Sequence, residues 1–154
     1  PLSESVDLSQ IDLVMVNGSN NSEYARYTLS GILNPGTLAV VGASGLTVPM
    51  GVIYIEIGSS TLMQNGSPDG VALIDNINNV LIDSLSYEGA INAAVITGFV
   101  NPVDLVEGTA TAATDSNSGD GSIIRLPDGG DTGDDAIDFI FSSTVTPGAP
   151  NSLP

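Results

Sequence analysis

The sequence predicts an all-β fold of roughly eight short strands packed as a sandwich. Three observations carry that prediction. Apolar residues recur at strand length, alternating or in short runs, and Val, Ile, Thr and Tyr dominate those stretches. Explicit turn chemistry separates them, at Asn17-Gly18, Asn65-Gly66, Pro68-Asp69-Gly70 and Pro127-Asp128-Gly129. Eighteen Gly and nine Pro spread through 154 residues suit short strands joined by many turns and oppose long helices.

In chain order, strands are expected at 11–16, 24–29, 37–41, 52–57, 71–74, 80–87, 122–126 and 139–142. The first ends at Asn17-Gly18, where tolerance of positive φ favours a two-residue hairpin turn. The fifth follows the Pro68-Asp69-Gly70 turn. The sixth, Val80-Leu81-Ile82-Asp83-Ser84-Leu85-Ser86-Tyr87, starts as a continuous apolar run and then alternates, which predicts a central strand whose far end has one solvated face. Residues 90–114 resist the pattern. They could hold a strand, a helical turn near 102–106 or a long connection. Their apolar content (Ile91, Val95, Ile96, Phe99 and Leu105 among others) is too high for a solvated loop. The expectation is that they pack over an open end of the sandwich or against another subunit. A single domain over 1–154 accommodates all of this.

Composition removes whole classes of chemistry. With no His, Cys or Lys there is no Ser-His-Asp or Cys-His machinery, disulfide, thiolate zinc site, Schiff base or Lys-Asn cross-link. Eighteen acidic residues stand against Arg26 and Arg125. Phosphate backbones need cations to displace counterions, so nucleic acid is not an expected partner, and anionic membrane surfaces are disfavoured for the same reason. No run reaches the roughly 18 apolar residues of a membrane helix. Oxygen-seeking cations, Ca²⁺ above all, are the natural partners of such a chain. Charged residues are only 13%, half the usual share of about 25%. A low-charge, Lys-free, Thr/Ser/Asn/Gly-rich chain reads as an extracellular or cell-surface bacterial protein, and Pro1 in place of Met points to a processed N-terminus or an excised domain, with that composition favouring processing.

The stretch 121–151 resembles the closing signature of lamin tail domains. An R-x-P-D-G turn (Arg125, Pro127, Asp128, Gly129) leads through Asp131-Thr132 to Asp138-Phe139, and a T-P-G-x-P-N tail follows at Thr146, Pro147, Gly148, Pro150 and Asn151. Residues 64–75 together with Leu85-Ser86-Tyr87-Glu88-Gly89 are similar to the N-G-x-P-D-G-x-A-L-x-D and L-S-Y-E-G blocks of bacterial lamin tail domains. Val16 to Asn20 and Tyr24 to Gly31 look like that group's hairpin. Residues 90–120 match loosely. The resemblance implies a non-catalytic immunoglobulin-like β-sandwich, of the kind that bacteria place on secreted and surface proteins. The basic surface of some nuclear lamin tails is missing, so DNA binding does not carry over.

Candidate sites concentrate near the C-terminus. Asp115, Asn117, Asp120, Asp128, Asp131, Asp134 and Asp135 form a dense acidic cluster interleaved with Gly and Ser, a candidate Ca²⁺ site. The competing expectation is a set of turns whose Asp side chains cap their own backbone. Asp131-Thr132-Gly133 has the letters of an aspartic-protease triplet, but its Gly-Gly and Asp-Asp flanks are those of a turn. Arg125, at a strand end, is expected to clamp a carboxylate such as Asp138 or Glu88. Tyr87 and Phe139 are expected in the core. The functional expectation is a structural subunit that assembles with copies of itself into a filament, sheath or surface layer. The alternative is an accessory adhesion module that uses Ca²⁺ to dock a surface-protein partner. No catalytic residue or bound cofactor is expected.

Overall fold

The computed structural model describes residues 3–59, 63–64, 66–115 and 119–154. Among them are ten strands: β1 (Val6–Asp7), β2 (Ile11–Asn17), β3 (Ser22–Thr28), β4 (Ile32–Leu33), β5 (Ala39–Gly42), β6 (Ile53–Glu56), β7 (Asp69–Asp75), β8 (Val80–Tyr87), β9 (Ser122–Arg125) and β10 (Phe139–Ser142). One helical turn, α1 (Asp135–Asp138), precedes β10. The protein is all-β, and each of the eight expected strands is present within a few residues. The short β1 and β4 are additional; two residues each carry no periodicity to read. Among the described residues no helix is long and apolar enough to cross a membrane.

A four-stranded antiparallel sheet in the order β3-β2-β7-β8 is the centre of the fold. Three two-stranded pairs accompany it: β1 with β4, β5 with β6 in parallel, and β9 with β10. Both faces of the central sheet are covered. On one, Val14, Val16, Ala72 and Ile74 pack against Ile91, Ala94, Ile96 and Leu105 of the long connection. On the other, Ile11, Leu13 and Leu73 meet Leu8, Leu29, Ile55 and the side chains of β4, β5 and β6. Alternation along β2 and β7 supplies both cores, because successive side chains point to opposite faces.

Three sequence expectations are corrected here. Strand β8 is not central: among the described residues it pairs only with β7 and forms a margin of the sheet, with Val80 and Ile82 about half exposed. An apolar run does not distinguish a buried strand from a marginal one. Residues 91–105 of the long connection lie on a face of the central sheet, and not over an open end, while Glu107, Thr109 and Thr111 hydrogen-bond to the α1–β10 region. The connection's backbone hydrogen-bonds to the sheet, with Glu23 N–H donating to Val95 O (3.1 Å) and Val95 N–H to Asn21 O (2.7 Å). Finally, Asp69 and Gly70 belong to β7 opposite Tyr87 and Ser86, so Pro68 ends the preceding turn and does not open a new one.

The Asn17-Gly18 turn also differs from expectation. The β2–β3 loop has four residues, and its positive φ falls on Asn21 (54°). Gly18 is required for close approach instead: a Cβ there would lie 2.5 Å from the Pro68 carbonyl oxygen, which accepts the Gly18 N–H at 2.9 Å. Asn65 lies outside the described residues. The Pro127-Asp128-Gly129 turn is present, closed by Gly130 N–H to Pro127 O at 2.8 Å, with Gly129 at φ 66°.

Candidate functional site: two arginine clusters and an acid pair

Arg125 ends β9 directly opposite Phe139, the first residue of β10. That register places its guanidinium 4.6 Å from the Phe139 ring centroid, a cation–π arrangement. The fork reaches both oxygens of Asp83 on β8 at 3.1 and 3.2 Å, the Gly130 carbonyl at 3.3 Å and Asp131 at 3.6 Å. The expected clamp is therefore present with a different carboxylate. Asp138 is already engaged by the Thr132 N–H (2.8 Å) and Thr132 Oγ1 (2.9 Å). Those bonds, the backbone donor first, hold its carboxyl below the ordinary range although burial opposes them. Glu88 sits past the end of β8, in left-handed backbone at φ 59°. Its carboxyl is pushed up by burial, by a hydrogen bond with Asp115, and by the charges of Asp115 and Asp69. Tyr87 and Phe139 are half-buried and not core residues. Tyr87 lies beside Asp69, and burial followed by that negative charge raises its phenol.

The acidic cluster divides along β9. Asp115 and Asp120 lie near Gly121 and Phe141 at its Ser122 end, where Asp115 flanks a cavity of about 310 Å³ with Tyr87 and Ser122. Asp128, Asp131, Asp134 and Asp135 follow its Arg125 end, and Asn117 lies outside the described residues. Three of the second group accept from nearby backbone. Asp128 takes the Asn151 N–H at 3.2 Å and pins the tail, and Asp131 takes Gly133 N–H at 3.1 Å. Asp134 caps α1 through Ala136 N–H at 3.1 Å and also takes Thr109 N–H at 3.2 Å. Asp131-Thr132-Gly133 is a turn held by Asp138. Among the described residues no group of three or more acids converges so as to hold a metal ion.

Asp135 is different. It is fully buried, and its Oδ2 accepts the Glu107 N–H at 3.0 Å while its own N–H donates to the Glu107 carbonyl at 2.9 Å. Its Oδ1 and the Glu107 Oε2 are buried without a hydrogen-bond partner among the described residues. Burial raises both carboxyls; the charges of Asp83, Asp131 and Asp135 raise Glu107 further, while Arg125 pulls the other way. An acceptor buried without a donor costs about 1–3 kcal/mol. Replacing Asp135 by Asn keeps the oxygen that binds Glu107 N–H and removes the buried carboxylate's charge. The expected result is a gain of about 1–2 kcal/mol at pH 7, measured by urea unfolding. Both carboxyls have folded pKa values above their unfolded ones, so their stability contribution is full below the unfolded values and lost as pH rises through the folded ones. The Asp135→Asn gain should therefore shrink on acidification to about pH 4, the unperturbed carboxylate range. A gain independent of pH would refute this account.

Arg26 anchors the other cluster, in the middle of β3. It binds Asp12 at 2.8 Å and takes Glu23 with two nitrogens at 2.9 Å each; its NH2 also donates to the Thr97 carbonyl at 2.9 Å. Glu23 Oε2 accepts the Thr97 N–H at 2.8 Å, so the ion cluster ties the covering segment to the sheet. Asp12 is nearly buried and also receives Thr28 and Asn76. Burial pushes Asp12 and Glu23 up, but donated hydrogen bonds outweigh it and hold both carboxyls below their ordinary range. Neither this cluster nor Asp83 and Glu107 emerged from the sequence. One signal was available: a buried acid in a chain with two cations must find one of them or remain protonated.

Compared with protein-family models, curated proteins and solved structures, the chain matches none.

Proposed function

We propose that the chain is a lamin-tail-like module with an immunoglobulin-like sandwich, serving as a non-catalytic, extracellular structural subunit that assembles with copies of itself. The observation that carries this reading is the marginal strand β8, paired on one side only among the described residues, with Val80 and Ile82 about half exposed and Ile77 at 68% exposure in the preceding turn. A strand with one free edge and apolar side chains is a template for strand addition. The resemblance of residues 64–75, 85–89 and 121–151 to lamin tail domains adds to it. So does the use of acidic side chains as backbone caps and arginine partners, which leaves few carboxylates for acid–base work.

Copies with a formal net charge of −16 repel one another at low ionic strength. Assembly is therefore expected to grow with salt or divalent cations. Size-exclusion chromatography and electron microscopy across ionic strength test this; a dispersed monomer at high concentration under all conditions would sink the reading.

A second reading has its own support. Burial and the charge of Asp115 raise the carboxyl of Asp69, and burial, a hydrogen bond with Asp115 and the charges of Asp115 and Asp69 raise that of Glu88, a repulsion that a cation brought by a docking partner would relieve. A Ca²⁺-dependent adhesion module predicts a melting temperature that rises with millimolar Ca²⁺. An identical melting curve in EDTA counts against it.

A further inference from the structure

The hairpin of β2 and β3 carries two consecutive N-x-S triplets, Asn17-Gly18-Ser19 and Asn20-Asn21-Ser22, and Asn65-Gly66-Ser67 supplies a third. N-x-S is the acceptor pattern for N-linked glycans and works where the asparagine is reachable from solvent. The loop and the third triplet are neighbours: Gly18 N–H donates to Pro68 O, and Asn17 Nδ2 donates to Gln64 Oε1. Asn65 itself lies outside the described residues.

The two described asparagines are not equivalent. Asn17 is half-buried and its amide nitrogen is engaged by Gln64. Asn20 is exposed. Its Oδ1 accepts the Ser22 N–H at 3.0 Å, and Ser22 Oγ donates to the Asn20 carbonyl at 3.2 Å. Asparagine and the serine two residues on are thus held together, while Asn20 Nδ2 has no partner among the described residues.

We infer that Asn20 is an attachment site for an N-linked glycan. The donor class is an oligosaccharide on a polyisoprenoid diphosphate. Asn20 Nδ2 attacks the sugar's anomeric carbon and a C–N bond forms. The bond from that carbon to the diphosphate oxygen breaks, Nδ2 loses one proton, and the polyisoprenoid diphosphate leaves with the bonding pair. A glycan at this loop is bulky and hydrated, so it keeps that end of the sheet out of subunit contacts and leaves β8 as the assembling edge.

This inference rests on the extracellular reading, and fractionation of the source cells separates the two. The chain is recovered from cytoplasm, surface and medium, then weighed intact and by peptide mapping. Recovery from the cytoplasm alone overturns the extracellular reading and the glycan with it. Recovery outside the cell with Asn20 bare overturns the glycan alone, as does sugar on Asn17 with Asn20 bare. The expected result is an extracellular chain whose Asn20 peptide carries added sugar mass. That mass should be lost in Asn20→Gln and in Ser22→Ala, and kept in Ser22→Thr and Asn17→Gln.

Discussion

Replacing Arg26 by Ala is expected to cost about 3–5 kcal/mol, the range for removing one partner of a buried ion pair. The guanidinium serves two carboxylates and the Thr97 carbonyl. Asp12, with a side chain only 7% exposed, would keep its charge without its cation. Urea unfolding reads the loss. A companion variant separates charge from packing: Asp12→Asn with Glu23→Gln in the Arg26→Met background should recover part of the stability, because neutral partners no longer need the cation. The pH dependence carries a second signature. Asp12 and Glu23 have folded pKa values below their unfolded ones, so their contribution is present above the unfolded values and disappears as pH falls through the folded ones. The native protein should lose this stability below about pH 4, whereas Arg26→Ala should show a flatter acid limb. An equally steep limb in the variant would mean that the cluster does not hold these carboxylates.

The second large effect is expected from Leu105→Ala. Leu105 is fully buried among Val14, Val16, Ile74 and Ile91, and its N–H donates to the Ile91 carbonyl at 3.0 Å. Truncating such a side chain costs about 2–5 kcal/mol, depending on how far the site collapses. The loss should be independent of protein concentration, because Leu105 covers a sheet of its own chain. A concentration-dependent loss would return the segment to a contact between subunits. Leu153→Ala, at an exposed position, should stay within about 0.5 kcal/mol of the native protein.

The fold class was largely legible because strand signals are local. Period-two alternation and β-branched residues located β2, β3 and β5 to β10, with only their ends displaced. The turn at Pro127 was legible for the same reason, since Pro and Gly act through their own dihedrals. Strand order was not. Val80-Leu81-Ile82 reads as buried from its composition, yet β8 is marginal, and pairing partners lie far apart in sequence. The candidate site was half legible. Arg125 lies at a strand end with a carboxylate to hold, and of the C-terminal acids Asp131 and Asp134 cap their own backbone, while Asp128 and Asp135 bind distant segments. The partner itself was missed because Asp83 lies 42 residues away, beyond the reach of any spacing rule.

The sequence by itself determined an all-β chain and the positions of most strands. It also ruled out chemistry that depends on His, Cys or Lys, because those follow from residue types and local periodicity. Tertiary structure alone decided that the apolar segment after β8 roofs one face of the central sheet. It also decided that Arg26 fastens that roof, that Asp83 takes Arg125, and that buried Asp135 meets half-buried Glu107. Each of these depends on which groups meet across the fold, and burial then sets the strength of the charge interactions that result.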